Sequence, residues 1–130
     1  MSNWTPYLLV GLGGFLGANA RFVMARCVAA SIDTRFPLGT LLVNISGSFL
    51  LGILGVLAAG KMGPDSDTMR LALGVGFLGA FTTFSTFAFE THALLEDGSW
   101  VAATTNIVAS VFVGLLALRA GIAVARMWMA

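Results

Sequence analysis

Four stretches without a charged residue, at 5–20, 36–60, 71–89 and 98–118, decide what this chain can fold into. A helix needs about 17–25 apolar residues to cross the hydrocarbon of a bilayer, and each stretch supplies that length or nearly so. Composition agrees: 58% of the 130 residues are hydrophobic and 10% charged, with a mean hydropathy of +0.92, where soluble domains carry about 25% charge. The expected fold is an all-α membrane protein, one domain over residues 1–130 with four transmembrane helices, multi-pass in the cell inner (plasma) membrane. No positively charged segment precedes the first span and no small-residue cleavage site follows it, so that span is expected to stay. A formal net charge of +1 offers no basic surface for nucleic acid. Cys27 is the only cysteine, which excludes an intramolecular disulfide or a cysteine metal cluster within one chain and leaves packing as its expected role.

The first helix is expected over about 4–30, with Arg21 roughly one bilayer thickness after Trp4 at about 1.5 Å per residue. Pro37 suits the first turn of a second helix over about 38–59, because its missing amide would be unpaired there in any case. Residues 60–67 (GKMGPDSD) read as an exposed turn, with Asp67 as a cap for a third helix over about 68–96. The turn at 96–99 leads to a fourth helix from about Trp100. Trp4, Trp100 and Trp128 fall near expected helix ends, as an interfacial belt requires.

Lysine and arginine asymmetry normally decides which way a membrane protein inserts. Here Lys61, Arg70, Arg119 and Arg126 fall on one side, against Arg21, Arg26 and Arg35 on the other. That near balance allows insertion both ways, and with it an antiparallel homodimer. Four short helices also have too little mutual surface to enclose a polar pathway, whereas two copies about a two-fold axis can build one at their interface. The alternative is that the small bias still fixes one orientation.

Polar side chains recur at helical spacing inside these apolar spans. Thr40, Asn44 and Ser48 share one face of the second helix, with Gly47 beside them to admit a close neighbour. Asn106, Ser110 and Gly114 repeat the spacing on the fourth. Hydrogen bonding between neighbouring helices explains such stripes as well as a pathway does. On the first helix Gly11, Gly14 and Gly17, with the overlapping pair Gly13 and Gly17, read as a close-packing face. A nucleotide-binding loop is excluded there because Leu16 holds the third glycine position and no strand precedes it.

The third helix carries the sharpest signal, GAFTTFSTF at 79–87. Glycine and four hydroxyl residues between bulky rings predict a mid-membrane break over 79–83, and backbone freed at that depth must be buried against protein, water or an ion. Exposed carbonyls can bind a cation, and two copies on a two-fold axis would offer four oxygens to one small monovalent ion. Phe84 and Phe87 share a face and can turn their electropositive ring edges to an anion, or serve only as packing. Glu90, His92, Glu96 and Asp97 are read as lying at or beyond the helix end, which makes a metal site from Glu90 and His92 improbable. Arg21 can snorkel or draw anions to a pore mouth.

The runs GGFLGANARF at 13–22, GTLLVNISGSFLLG at 39–52 and GFLGAFTTFSTF at 76–87 resemble the CrcB/Fluc family of fluoride channels over essentially the whole length. The resemblance implies a dual-topology homodimer with two parallel pathways that conduct fluoride passively, exporting it and relieving its toxicity. It implies a structural sodium ion at the dimer centre, held here by the backbone carbonyls of Gly79 and Thr82. It further implies that Asn44 donates to fluoride and that Phe84 and Phe87 form aromatic boxes. Ser110 and Thr40 would match a polar track, Ser85 and Thr86 would lie close to the path, and Arg21 would stand near a vestibule. Two positions depart from the family pattern: Ala80 where a second glycine is frequent, and Asn106 where a tyrosine is frequent.

The nearest rival is a small dual-topology proton-coupled multidrug exporter, which needs a carboxylate buried mid-helix; the first two helices have no Asp or Glu, and Glu90 is read as late in the third. An enzyme is not indicated, since His92 is the only neutral-pH base and no nucleophile with an orienting carboxylate accompanies it.

Overall fold

The computed structural model describes residues 3–60 and 64–130 and is all helical among them. Helix α1 spans Thr5–Ser31 and opens with a proline in its first turn, where the missing amide costs nothing. It ends where Ile32 turns extended. Helix α2 spans Leu38–Ala59. Pro37 sits one position before that helix rather than inside its first turn, and its carbonyl accepts the Leu41 amide at 3.1 Å. Helix α3 runs through Pro64–Met69, a π-helical segment Arg70–Leu78 and a last turn Gly79–Phe81. Helix α4 spans Phe84–Glu96, and α5 runs from Trp100–Val108 through a π-helical segment Ala109–Val113 to Gly114–Met129. Four spans long and apolar enough to cross a membrane result, the third being α3 and α4 together.

Two expectations at the third span change. It begins at Pro64, so Asp67 is a first-turn residue rather than a cap, placed where its charge meets the positive end of the helix. The exposed turn expected over 60–67 is therefore helical from Pro64, and its 61–63 portion lies outside the described residues. The turn between α4 and α5 holds as expected. Gly98 adopts φ +74, the Ser99 amide bonds the Leu94 carbonyl at 2.8 Å and the Gly98 amide bonds that of Leu95 at 3.1 Å. This pair of bonds closes a helix end around a left-handed glycine.

Packing is by backbone approach more than by an apolar core. A small cluster of Val43, Leu54, Leu78 and Phe81 is buried at the centre, while large side chains such as Leu12, Phe15, Val101 and Leu116 face outward. That inversion suits lipid, which removes any hydrophobic drive between helices and leaves close contact of small residues to hold them. At α1, a side chain on Gly13 or Gly17 would strike the backbone of Ala72 or Phe77 on α3, whereas Gly11 meets nothing and Gly14 only ordinary contacts. The step of four, not the step of three, makes the seam. Gly52 of α2 and Gly121 of α5 interlock in the same way through the carbonyls of Leu118 and Phe49.

Candidate functional site

The third span is interrupted at Thr82 and Thr83, which adopt φ −79, ψ 157 and φ −150, ψ 122. The break is narrower than expected, because Gly79, Ala80 and Phe81 keep a helical turn. Its cause lies on α2. The Asn44 side chain accepts from the Thr83 amide at 2.8 Å and donates to the Thr83 carbonyl at 2.9 Å. A carboxamide carries the same donor and acceptor as a peptide group, so Asn44 pairs with Thr83 as a neighbouring strand would. In an unbroken helix the Thr83 amide would close on the carbonyl of Gly79. Here it is diverted.

Local chemistry completes the interruption. Thr82 keeps its amide and its hydroxyl on the Leu78 carbonyl, at 3.0 and 2.9 Å, closing α3. Thr83 then caps α4 by accepting the Thr86 amide at 3.2 Å, the bond that N-terminal threonines make with the third helical residue. Gly47 admits this corner: a side chain there would strike the Thr82 methyl.

Around the break lies a cleft of about 370 Å³. Asn44, Ser48 and Ser110 line it together with Gly79, Thr82, Phe84 and Phe87. The two rings stand 5.5 Å apart at 48°, and Phe84 is 79% exposed. The Ser48 hydroxyl donates to the Asn44 carbonyl at 2.8 Å. The Ser110 oxygen, by contrast, is buried with no partner among the described residues. Native proteins leave few such atoms, each at a cost of about 1–3 kcal/mol.

Not every expected residue joins the cleft. Ser85 and Thr86 stand exposed on the first turn of α4. Thr40 is buried one turn and more from Asn44, with its hydroxyl on Glu90 Oε1 at 2.9 Å. Arg21 is half-buried on α1 and does not line the cleft. Glu90 needs correction: it lies inside α4 rather than at its end, and Glu90 Oε2 is buried without a partner among the described residues. His92 pairs instead with Glu96 at 3.5 Å, both exposed, so Glu90 and His92 do not converge. Asn106 is fully buried and donates to Thr91 Oγ1 at 2.9 Å, which in turn donates to the Phe87 carbonyl at 2.7 Å. It ties α5 to α4. Sequence reasoning took Thr83 only as part of the break and missed its capping role, although a threonine directly before an apolar helical run is itself a helix-start signal.

Four spans, one of them split beside a polar cleft in an otherwise apolar bundle, define a multi-pass membrane protein equipped to handle a small polar species. The chain matches the family described as CrcB-like protein, Camphor Resistance (CrcB), over residues 8–122. It belongs to that family, a protein of the plasma membrane. Its relatives include the fluoride-specific ion channel FluC of Geobacter sulfurreducens, 45% identical over 94% of this chain and 98% of the relative. The protein of the same name from Chlorobium phaeobacteroides is 44% identical over 96% of each chain. That from Solibacter usitatus is 40% identical over 92% of this chain and 98% of the relative.

Proposed function

We propose that this chain is the subunit of a fluoride channel, a passive conductor and not an enzyme, working as an antiparallel, dual-topology homodimer. The observation that carries the reading is the Ser110 hydroxyl, buried in the cleft with no acceptor or donor among the described residues. Fluoride is small and strongly hydrated, so a selective path must replace its water with donors at a width that admits little else. Ser110 offers one such hydrogen. Asn44 offers another, because its amide carries two and only one is used on Thr83. Phe84 and Phe87 would turn ring edges to the ion. Ser85 and Thr86 would flank the approach, Thr40 beside Glu90 would extend the polar line, and Arg21 would draw anions to the mouth. A second copy would close the open side, where Phe84 is exposed, and place the break at mid-membrane depth.

The same reading assigns a sodium ion to the carbonyls of Gly79 and Thr82. The residues fit: Gly79 has lost its usual helical donor to Asn44, Thr82 has left the helix, and unwound neutral carbonyls suit such a cation. Bound sodium would supply positive charge at the seam between copies, with these carbonyls as its ligands. What the chain itself contributes is the fixed break, held by Asn44.

The test is ion release from liposomes containing the purified protein, read with ion-selective electrodes. Fluoride should escape and chloride almost not at all; equal release of both halides would contradict a selective pore. Removing sodium from both sides beforehand should lower fluoride release. Orientation is read from the single Cys27, which lies near the C-terminal end of α1 beside Arg26. With an impermeant thiol reagent, about half the molecules should label before permeabilisation and the remainder after it, as mixed insertion requires.

A further inference from the structure

Anion donors must present hydrogen, yet a hydroxyl can rotate to present either its hydrogen or its lone pairs. At the break one buried residue removes that freedom. The Thr83 oxygen accepts the Thr86 amide at 3.2 Å, and the Thr83 hydrogen goes to Thr86 Oγ1 at 3.1 Å. Thr86 Oγ1 is therefore an acceptor toward Thr83, and its own hydrogen must point elsewhere. Ser85 Oγ lies 3.4 Å from the Thr83 oxygen; with the Thr83 hydrogen already used, Ser85 is the donor of that longer pair. Thr83 is 8% exposed and its backbone is clasped on both sides by Asn44, whereas Thr86 is open to the outside.

Resting on the channel reading above, we propose that Thr83 is a positioning residue for fluoride: its hydroxyl fixes the Thr86 hydroxyl as an outward hydrogen donor to the anion. A donor that itself accepts a hydrogen bond is polarised and donates more strongly. The arrangement also spares the permeating ion the cost of reorienting a free hydroxyl, because the dipole is set before the ion arrives. Capping of α4 is a second, separate duty of the same oxygen, and it does not depend on what side chain stands at 86.

That independence supplies the test. Fluoride release is compared for wild type, T83S, T83V, T86V and the double variant T83V/T86V in liposomes. T83S keeps the hydroxyl and should match wild type, while T83V and T86V should each slow release about tenfold, the size of one hydrogen bond to a charged partner. The double variant should be no slower than T86V alone. A multiplicative loss in the double variant would overturn the proposal, since a cap alone acts whatever stands at 86. Wild-type rates in T83V would overturn it as well. Should T83V give no monodisperse protein, T83A takes its place, and failure of both would mean that Thr83 serves the cap and nothing more. Absence of fluoride release from the wild-type protein is a different result, since it removes the channel reading itself.

Discussion

Within the third span, the stretch Arg70–Leu78 and the corner at Thr82 and Thr83 meet their neighbours in opposite ways. The first lies against α1 backbone to backbone, with Gly13 and Gly17 leaving no room for a methyl group. The second meets α2 through the Thr82 methyl against Gly47 and through the Asn44 amide, and it borders a cleft that holds a hydroxyl with no partner among the described residues. Both regions lack any hydrophobic drive in lipid. One is held by contact alone and admits nothing. The other is held by hydrogen bonds that leave polar capacity over, and leftover polar capacity in an apolar bundle is where a small ion can be received.

That contrast can be broken most forcefully at the seam. Gly17→Leu places a side chain against the Phe77 backbone, which cannot yield as a flexible side chain would, so the cost should exceed the roughly 1–3 kcal/mol usual for overpacking. Gel filtration should show no monodisperse protein, while Gly11→Leu, with open space around it, should behave as wild type. If both fold equally well, the seam is not what holds α1 to α3.

A smaller effect is expected from Asn44→Ala. It strips partners from both the amide and the carbonyl of Thr83, at about 1–3 kcal/mol each. Fluoride release should fall about a hundredfold or more, with some loss of thermal stability in detergent, since clasp and path share this residue. Full conduction in this variant would show that the break persists without α2.

Ser110→Ala sharpens the comparison from the other side. Because the hydroxyl has no partner among the described residues, its removal should leave the melting temperature unchanged or slightly raised, while fluoride release drops about tenfold. A variant that loses stability and keeps conduction would assign Ser110 to packing.

Much of this was legible in the residues alone, and the reason is geometric. Bilayer thickness sets the length of an apolar run, and helical spacing sets which residues share a face. The four spans and the shared face of Thr40, Asn44 and Ser48 therefore follow from spacing, and an interruption near Thr82 from the glycine and hydroxyl residues set between rings at 79–87. What stands opposite each face does not. The break shrank to Thr82 and Thr83 because an amide from α2 competes for the Thr83 backbone, a partner 39 positions away in sequence. Asn106 became a tie to Thr91, 15 positions away, and Glu90 a partner of Thr40, 50 positions away. Gly13 and Gly17 rather than Gly11 and Gly14 formed the seam because the rotation of α1 is chosen by the helix it meets. Spacing along one helix is a local property of the chain; the choice of neighbour is made only when all the helices have packed.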